Sequence, residues 1–222
     1  MSRTKFHFSL AALLVGPQLT CKNGLFMDQD NLIERSLQGD LEAFNQLVIE
    51  YQGLGYGVAY RLLDDPDSAA DALQDSFIKA FRALEKYRGG SFKSWLMRIV
   101  VNTCYDHLRS RQRKRTESLD DMPVDEEYVV QLTDRGETPH EYAERRELQA
   151  LIGSAITSLP EVLRTAIVLR DVEGYAYEEI AEITSAAVGT VKSRINRARG
   201  RVRDYLGKHA ELLPSVYRHS LK

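Results

Sequence analysis

Residues Tyr177 to Arg203 read YEEIAEITSAAVGTVKSRINRARGRVR, and few folds accommodate such a stretch. Val188, Val191, Ile195, Ala198 and Val202 recur at steps of three, four, three and four. That spacing sets them on one side of an α-helix with its period of ~3.6 residues. The opposite side collects Gly189, Thr190, Lys192, Ser193, Asn196, Arg197 and Gly200, a small, polar and cationic surface of the kind that enters a DNA major groove. Upstream, Ile180, Ala181 and Ile183 face inward on a short helix, and Ser185, Ala186 and Ala187 leave room only for a tight corner. A helix-turn-helix needs this compactness, because its first helix braces the second across the phosphate backbone. An ordinary amphipathic helical pair with a solvated basic face fits the same residues, so the rest of the chain has to separate the two.

The charge distribution points the same way. Net charge is only -2 over 222 residues, yet the charges are segregated along the chain. Arg109, Arg111, Arg113, Lys114 and Arg115 form one basic cluster, and Lys192, Arg194, Arg197, Arg199, Arg201, Arg203 and Lys208 form another. Between them Glu117, Asp120, Asp121, Asp125, Glu126, Glu127, Asp134, Glu137 and Glu141 make an acidic run with little apolar periodicity. The pattern predicts two basic modules and a flexible acidic tether.

A composition of 43% hydrophobic and 28% charged residues is that of a globular protein able to bury a core. Two cysteines, Cys21 and Cys104, make neither a disulfide framework nor a zinc site, and the five histidines lie far apart. No metal and no cofactor is expected, and a reducing, cytoplasmic compartment fits. No apolar run reaches the roughly 20 residues that span a bilayer. One segment argues otherwise: Arg3 and Lys5 precede FSLAALLV at Phe8 to Val15, which imitates a secretory signal, and Leu19, Thr20 and Cys21 echo a lipoprotein processing site. Export would part a DNA-binding chain from its DNA, so residues 1–26 are expected to be an overextended reading frame or a disordered leader, with translation starting at Met27.

From Asp28 to Arg115 the pattern is helical throughout. Phe44, Leu47, Val48 and Tyr51 give one stripe, and Leu73, Phe77, Ala80, Phe81 and Leu84 give another. Asp64, Asp65 and Pro66 break the chain, with Asp67 or Ser68 expected to cap the next helix. Gly89 and Gly90 stop it again. A further helix, Ser94 to Arg111, carries Trp95, Leu96, Ile99, Val100 and Cys104 on its inner side. Further on, Leu148, Ile152, Ala155, Ile156 and Leu159 make one apolar face, Pro160 starts the next helix where its missing donor is harmless, and Leu163, Ala166, Ile167 and Leu169 continue the core to Gly174. Period-two alternation of useful length is absent. The fold is therefore expected to be all-α: two small helical domains joined by a flexible acidic linker, the second containing the helix-turn-helix.

At this point the residues carry a resemblance. DALQDSFIKAFRALEKYRGGSFKSWLMRIVVNTCYDHLRSRQRK, from Asp71 to Lys114, resembles the second conserved region of bacterial sigma factors of the extracytoplasmic-function class. SLPEVLRTAIVLRDVEGYAYEEIAEITSAAVGTVKSRINRAR, from Ser158 to Arg199, is similar to their fourth region. The order, the separation and the acidic connector match as well. The resemblance implies a region 2-like domain over residues 27–115, an acidic linker over 116–140, a region 4-like domain over 141–208 and a tail over 209–222. It implies core RNA polymerase and promoter DNA as partners, leaves open an anti-sigma factor, and requires no insertion into a membrane.

Module by module, Asp71, Gln74, Asp75 and Lys79 are the implied polymerase-docking residues, lying outward of the Leu73, Phe77 and Phe81 stripe. The loop from Tyr87 to Phe92, with Lys93, Arg98, Asn102, Tyr105, Arg109 and Arg113, is implied at the -10 element and in strand opening, where single-stranded bases need aromatic platforms and cations. Asn102 matches the family position that touches a flipped base, whereas Trp95 reads as core. Arg111 to Arg115 would track duplex phosphates. Thr190, Lys192, Ser193, Asn196, Arg197 and Arg199 are implied at the -35 element, with Arg199 and Arg203 on phosphates and Arg194 turned partly toward the seam. The tether would lie in the RNA path of the polymerase or serve as a plain linker.

Two departures from the family stand out. Ala176 occupies the place of a capping serine or threonine, forfeiting about 1 kcal/mol at that helix start, and Thr184 and Ser185 replace a common leucine and glycine pair at the turn. No phosphate-cradling glycine loop with lysine, paired metal ligands or nucleophile elbow accompanies these motifs, so an enzyme is not expected. His107 beside Asp106 reads as a surface pair. The expected function is that of a sigma factor giving RNA polymerase its promoter choice; the alternative is a stand-alone helix-turn-helix regulator, which would footprint duplex DNA without polymerase.

Overall fold

A computed structural model describes residues 29–117 and 139–213, all of them helical or in the turns between helices, with no strand among them. The order is α1 (Gln29–Leu37), α2 (Leu41–Leu63), α3 (Pro66–Ala83), a 3-10 turn (Leu84–Lys86), α4 (Phe92–Glu117), α5 (Pro139–Thr157), α6 (Glu161–Ile167), a π-helical turn (Val168–Val172), α7 (Tyr177–Thr184), α8 (Val188–Lys208) and a last 3-10 turn (Ala210–Leu212). Residues 1–26 and most of the acidic tether lie outside the described residues. The chain divides into two compact units: the first holds α1 to α4 together with residues 178–188, and the second holds α5, α6, the π turn up to Tyr177, and the chain from Gly189 onward.

Local chemistry sets the corners of the first unit. Gly39 ends α1 at φ 90°, and the amides of Gly39 and Asp40 reach back to the carbonyls of Ser36 (3.0 Å) and Arg35 (3.1 Å), the paired bonds of a left-handed helix cap. Asp40 then caps α2, accepting from the amides of Glu42 (3.0 Å) and Ala43 (3.2 Å) through one oxygen and from the Arg35 guanidinium through the other (2.9 and 2.6 Å). The helix break falls at the expected residues, but the cap is Asp65, not Asp67 or Ser68: its carboxylate accepts from the Ser68 amide at 2.8 Å. Pro66 decides this, since its fixed φ suits the first helical position and makes the preceding residue the cap.

The Arg35 guanidinium beside Asp40 and the Ser68 hydrogen bonds at Asp65 hold both carboxyls below their ordinary value of 3.8. In the unfolded chain the same groups bind protons more readily, so the stabilisation is complete above about pH 4 and is lost as pH falls through their folded values. Asp65→Ala is accordingly expected to cost about 1 kcal/mol at neutral pH, with a cost that shrinks toward zero on acidification below 3.8. Thermal melts of variant and parent across that range check it.

Packing of α2, α3 and α4 corrects two expected stripes. The buried face of α3 is Ala69, Ala72, Ser76 and Ala80, with Leu73 and Phe77 half-buried and Phe81 40% exposed. Small residues win because α2 and α3 approach closely: a Cβ on Gly55 would lie 2.6 Å from Leu73 Cδ1, and Phe81 meets Phe44 only edge-on at 5.0 Å. On α4 the inner face is Phe92, Leu96, Met97, Val100, Val101 and Cys104, whereas Trp95 and Ile99 are half-buried. Burial also pushes the Cys104 thiol up to about 12, which keeps it neutral.

The second unit is one apolar cluster. Leu148, Ile152, Ala155, Ile156 and Leu159 of α5 and its exit, Leu163 and Ile167 of α6, and Ala198, Val202 and Leu206 of α8 pack together, closed by Leu213. Burying each large aliphatic side chain stabilises by about 1.5–3 kcal/mol. Pro160 precedes α6 as its cap residue. The π turn is a feature no residue pattern announces: the Glu173 amide reaches Val168 and the Tyr175 amide reaches Leu169, both at 3.0 Å, before Gly174 at φ 76° ends the element.

Candidate nucleic-acid and polymerase interfaces

Helix α8 is built as its spacing foretells. Val191, Ile195, Ala198 and Val202 are buried along α8, continued by Leu206, while Val188 at its start is half-buried. Thr190, Lys192, Ser193, Asn196 and Arg197 are all exposed on the other side. A ladder of bonds orders part of this face: the Ser193 hydroxyl donates to the Thr190 carbonyl at 2.9 Å, and Arg197 donates to the Ser193 carbonyl (3.3 Å) and hydroxyl (3.2 Å). Lys192 Nζ lies 5.7 Å from the centroid of the Tyr177 ring, which the Arg170 guanidinium also covers at 4.7 Å. Arg199 behaves differently from its neighbours. Its guanidinium is half-buried and held by Asp171, with Nε donating at 2.8 Å and a terminal nitrogen at 2.5 Å, and this partner raises its pKa further.

The corner between α7 and α8 shows what the departures from the family pattern do. Ser185 takes the left-handed conformation at φ 50°, its amide reaching Glu182 (3.3 Å) and the Ala186 amide reaching Ala181 (3.0 Å). That is a glycine-type helix cap made with a serine. A side chain in this region costs roughly 1–2 kcal/mol, so Ser185→Gly is expected to stabilise the fold by about 1 kcal/mol, read as a rise in Tm with the corner unchanged.

On α4, Arg98, Asn102, Tyr105, Arg109 and Arg113 follow one another at steps of four, three, four and four, which aligns them along one side of the helix. Arg98, Asn102, Arg109 and Arg113 are exposed and Tyr105 is half-buried. Lys93 falls elsewhere, for it precedes Met97, Val100 and Cys104 by four, seven and eleven residues and so shares the side of the core. Tyr87 is engaged as a brace: its hydroxyl donates to the Gly90 carbonyl at 2.6 Å, and its ring meets Phe92 at 5.7 Å and Trp95 at 5.4 Å. Gly89 and Gly90, at φ 87° and 90°, are the residues that let this loop turn so tightly. Trp95, expected as core, is instead the half-exposed rim of that aromatic group.

On α3, Asp71, Gln74, Asp75 and Lys79 are exposed together. Asp75 faces His107 of α4 at 3.2 Å, and Lys79 reaches Thr103 at 3.1 Å and Asp106 at 3.3 Å. His107 is therefore tied across to the docking candidates rather than forming a pair with Asp106. Ile78, 41% exposed amid these polar residues, is an unexpected member of this face, and Phe81, expected as core, is 40% exposed beside it. The step of four from Gln74 to Ile78 was the available signal.

Comparison with known proteins gives the family of the chain. The Sigma-70 region 2 family matches residues 47–114, and the Sigma-70, region 4 family matches residues 149–202. The chain is 43% identical over 180 residues to the RNA polymerase sigma-H factor of Pseudomonas aeruginosa, covering 79% of this chain and 92% of that protein. It is 45% identical over 171 residues to the ECF RNA polymerase sigma-E factor of Haemophilus influenzae, covering 76% and 89%. Among solved structures, it is similar to the sigma factor RpoE crystallised with the anti-sigma factor NepR from Bartonella quintana, with a TM-score of 0.60, 29% identity and coverage of 73% of this chain and 96% of that one. CnrH in complex with the cytosolic domain of CnrY aligns with a TM-score of 0.57 and 26% identity over 81% and 97%. With both regions present in order and such relatives matched along most of their length, the chain belongs to the sigma-70 family of RNA polymerase sigma factors, in its extracytoplasmic-function (ECF) class.

Proposed function

We propose that this protein binds core RNA polymerase and directs it to promoters by recognising a -35 element with α8 and a -10 element with α4. The observation that carries the reading is the presence on one chain of two unlike nucleic-acid surfaces. The face of α8 has the length and the exposed polar and cationic side chains that fit a major groove. The stripe on α4, with Arg98, Asn102, Tyr105, Arg109 and Arg113 beside the aromatic group at Trp95, combines cations with stacking surface, which suits separated strands. Lys93 and Arg199 are set apart from these surfaces, and Tyr87 supports its loop more than it offers a platform.

Polymerase docking falls to Asp71, Gln74, Asp75 and Lys79, with Ile78 as the apolar centre such a patch needs. The protein acts by binding, without chemistry of its own, in the cytoplasm where its DNA lies. Two structural relatives are solved as complexes with an anti-sigma factor or a cytosolic partner domain, which supports a sequestering protein as a further partner here. Run-off transcription with purified core polymerase on a genomic fragment library tests the reading. Transcripts that require the protein and start below shared upstream sequences are expected; duplex footprints without polymerase and no dependent transcripts would instead make it a stand-alone regulator.

A further inference from the structure

Arg199 and Asp171 form an ion pair inside the second unit that promoter contact does not explain. The Asp171 side chain is only 10% exposed and that of Arg199 36%, and both carboxylate oxygens are taken by the guanidinium fork, at 2.8 and 2.5 Å. Asp171 sits in the π-helical turn Val168–Val172. Such turns are rare and often mark functional positions, since the wider turn re-aims the side chains it carries.

Much of the contact between α8 and its unit is apolar. Ala198, Val202 and Leu206 pack in the common cluster, and greasy contacts are non-directional, so they resist withdrawal of the helix better than rotation about its axis. A bidentate fork is directional. Arg199 follows Lys192 by seven residues, two turns or about 10 Å along the same flank, and Lys192 Nζ lies over Tyr177, 5.7 Å from the ring centroid. One segment, residues 170–177, thus touches that flank at two heights, and the firmer of the two anchors is Asp171.

We propose that Asp171 is a positioning residue for promoter recognition: its two-oxygen grip on Arg199 fixes the rotation of α8, and with it the register of Lys192, Asn196 and Arg197 on duplex DNA, while withholding Arg199 from the phosphates. This rests on the reading of α8 as the duplex-reading helix. Base-edge contacts tolerate little misplacement, so loosened rotation reduces discrimination more than it reduces non-specific attachment.

The test uses the full chain assembled with core RNA polymerase, and two probes: the duplex that the wild-type holoenzyme enriches from a randomised pool, and a shuffled duplex of equal length. Asp171→Asn is expected to lower the ratio of affinities, enriched over shuffled, by about tenfold. It is also expected to steepen the plot of log affinity against log salt by about 0.9, as the released Arg199 takes up a phosphate. Arg199→Lys, which keeps the charge but loses the fork, lowers the ratio similarly, and Asp171→Asn adds nothing in an Arg199→Gln background. Should Asp171→Asn unfold the second unit, seen as lost helicity, Arg199→Lys carries the comparison. Equal loss of affinity for both duplexes with an unchanged salt slope overturns the proposal, as does a slope reduced by about 0.9 in Arg199→Gln alone, since Arg199 would then already lie on a phosphate. A wild-type holoenzyme that enriches no duplex overturns the reading of α8 itself, and the proposal with it.

Discussion

Asp75→Arg is expected to weaken association with core RNA polymerase by about a hundredfold, near 3 kcal/mol, while leaving the fold of both units intact. Asp75 is exposed on α3 among Asp71, Gln74 and Ile78, and His107 faces it at 3.2 Å on a surface half open to solvent. Its loss costs the free protein little, because exposed ion pairs contribute on the order of 0–1 kcal/mol. Inside an interface the arithmetic changes. A reversed charge has to be desolvated against a partner arranged for the original sign, and such juxtapositions cost several kcal/mol. Binding of labelled protein to core polymerase, followed by fluorescence anisotropy alongside a thermal melt, separates the two effects. Unchanged affinity would remove this face of α3 from the docking surface.

Arg197→Ala should have the complementary outcome: promoter binding and promoter-specific run-off fall about 10- to 100-fold, and affinity for core polymerase stays at the parent value. Arg197 is exposed at the centre of the α8 face, and its bonds to Ser193 pre-order the side chain without burying it. A guanidinium so placed can pair with a base edge through two donors, and one good bidentate contact discriminates by ~1–3 kcal/mol. Lys192→Ala is expected to act in the same direction with a smaller effect, chiefly as a shallower salt dependence. Loss of polymerase binding together with promoter binding in either variant would contradict the separation of roles between the two units.

Much of this was legible from residue order. The seam of α8 was readable because amphipathic periodicity over about four turns leaves no other side to bury, and the structure buries Val191, Ile195, Ala198 and Val202 as that spacing requires. The alignment of Arg98, Asn102, Tyr105 and Arg109 along α4 follows from the same arithmetic. The errors lie where a neighbour, in space or along the chain, decides. Phe81 has every sequence credential of a core residue, yet α2 comes so close at Gly55 that alanines and a serine take the buried positions and the larger ring is left 40% exposed. Asp67 and Ser68 have cap chemistry, and Pro66 gave the role to Asp65.

Residue order alone determined the helices, the buried seam of α8, the two basic clusters and the family, because periodicity and capping act over a few neighbouring residues. Which cations remain available to a ligand was settled only in three dimensions. Arg199 and Arg197 stand two places apart on one helix, yet Arg197 is exposed while a carboxylate 28 positions away in sequence holds Arg199. The reason is physical: a charge is assigned by whichever partner the packed backbone brings within hydrogen-bonding distance, and the π turn that delivers Asp171 leaves no trace in the pattern of residues.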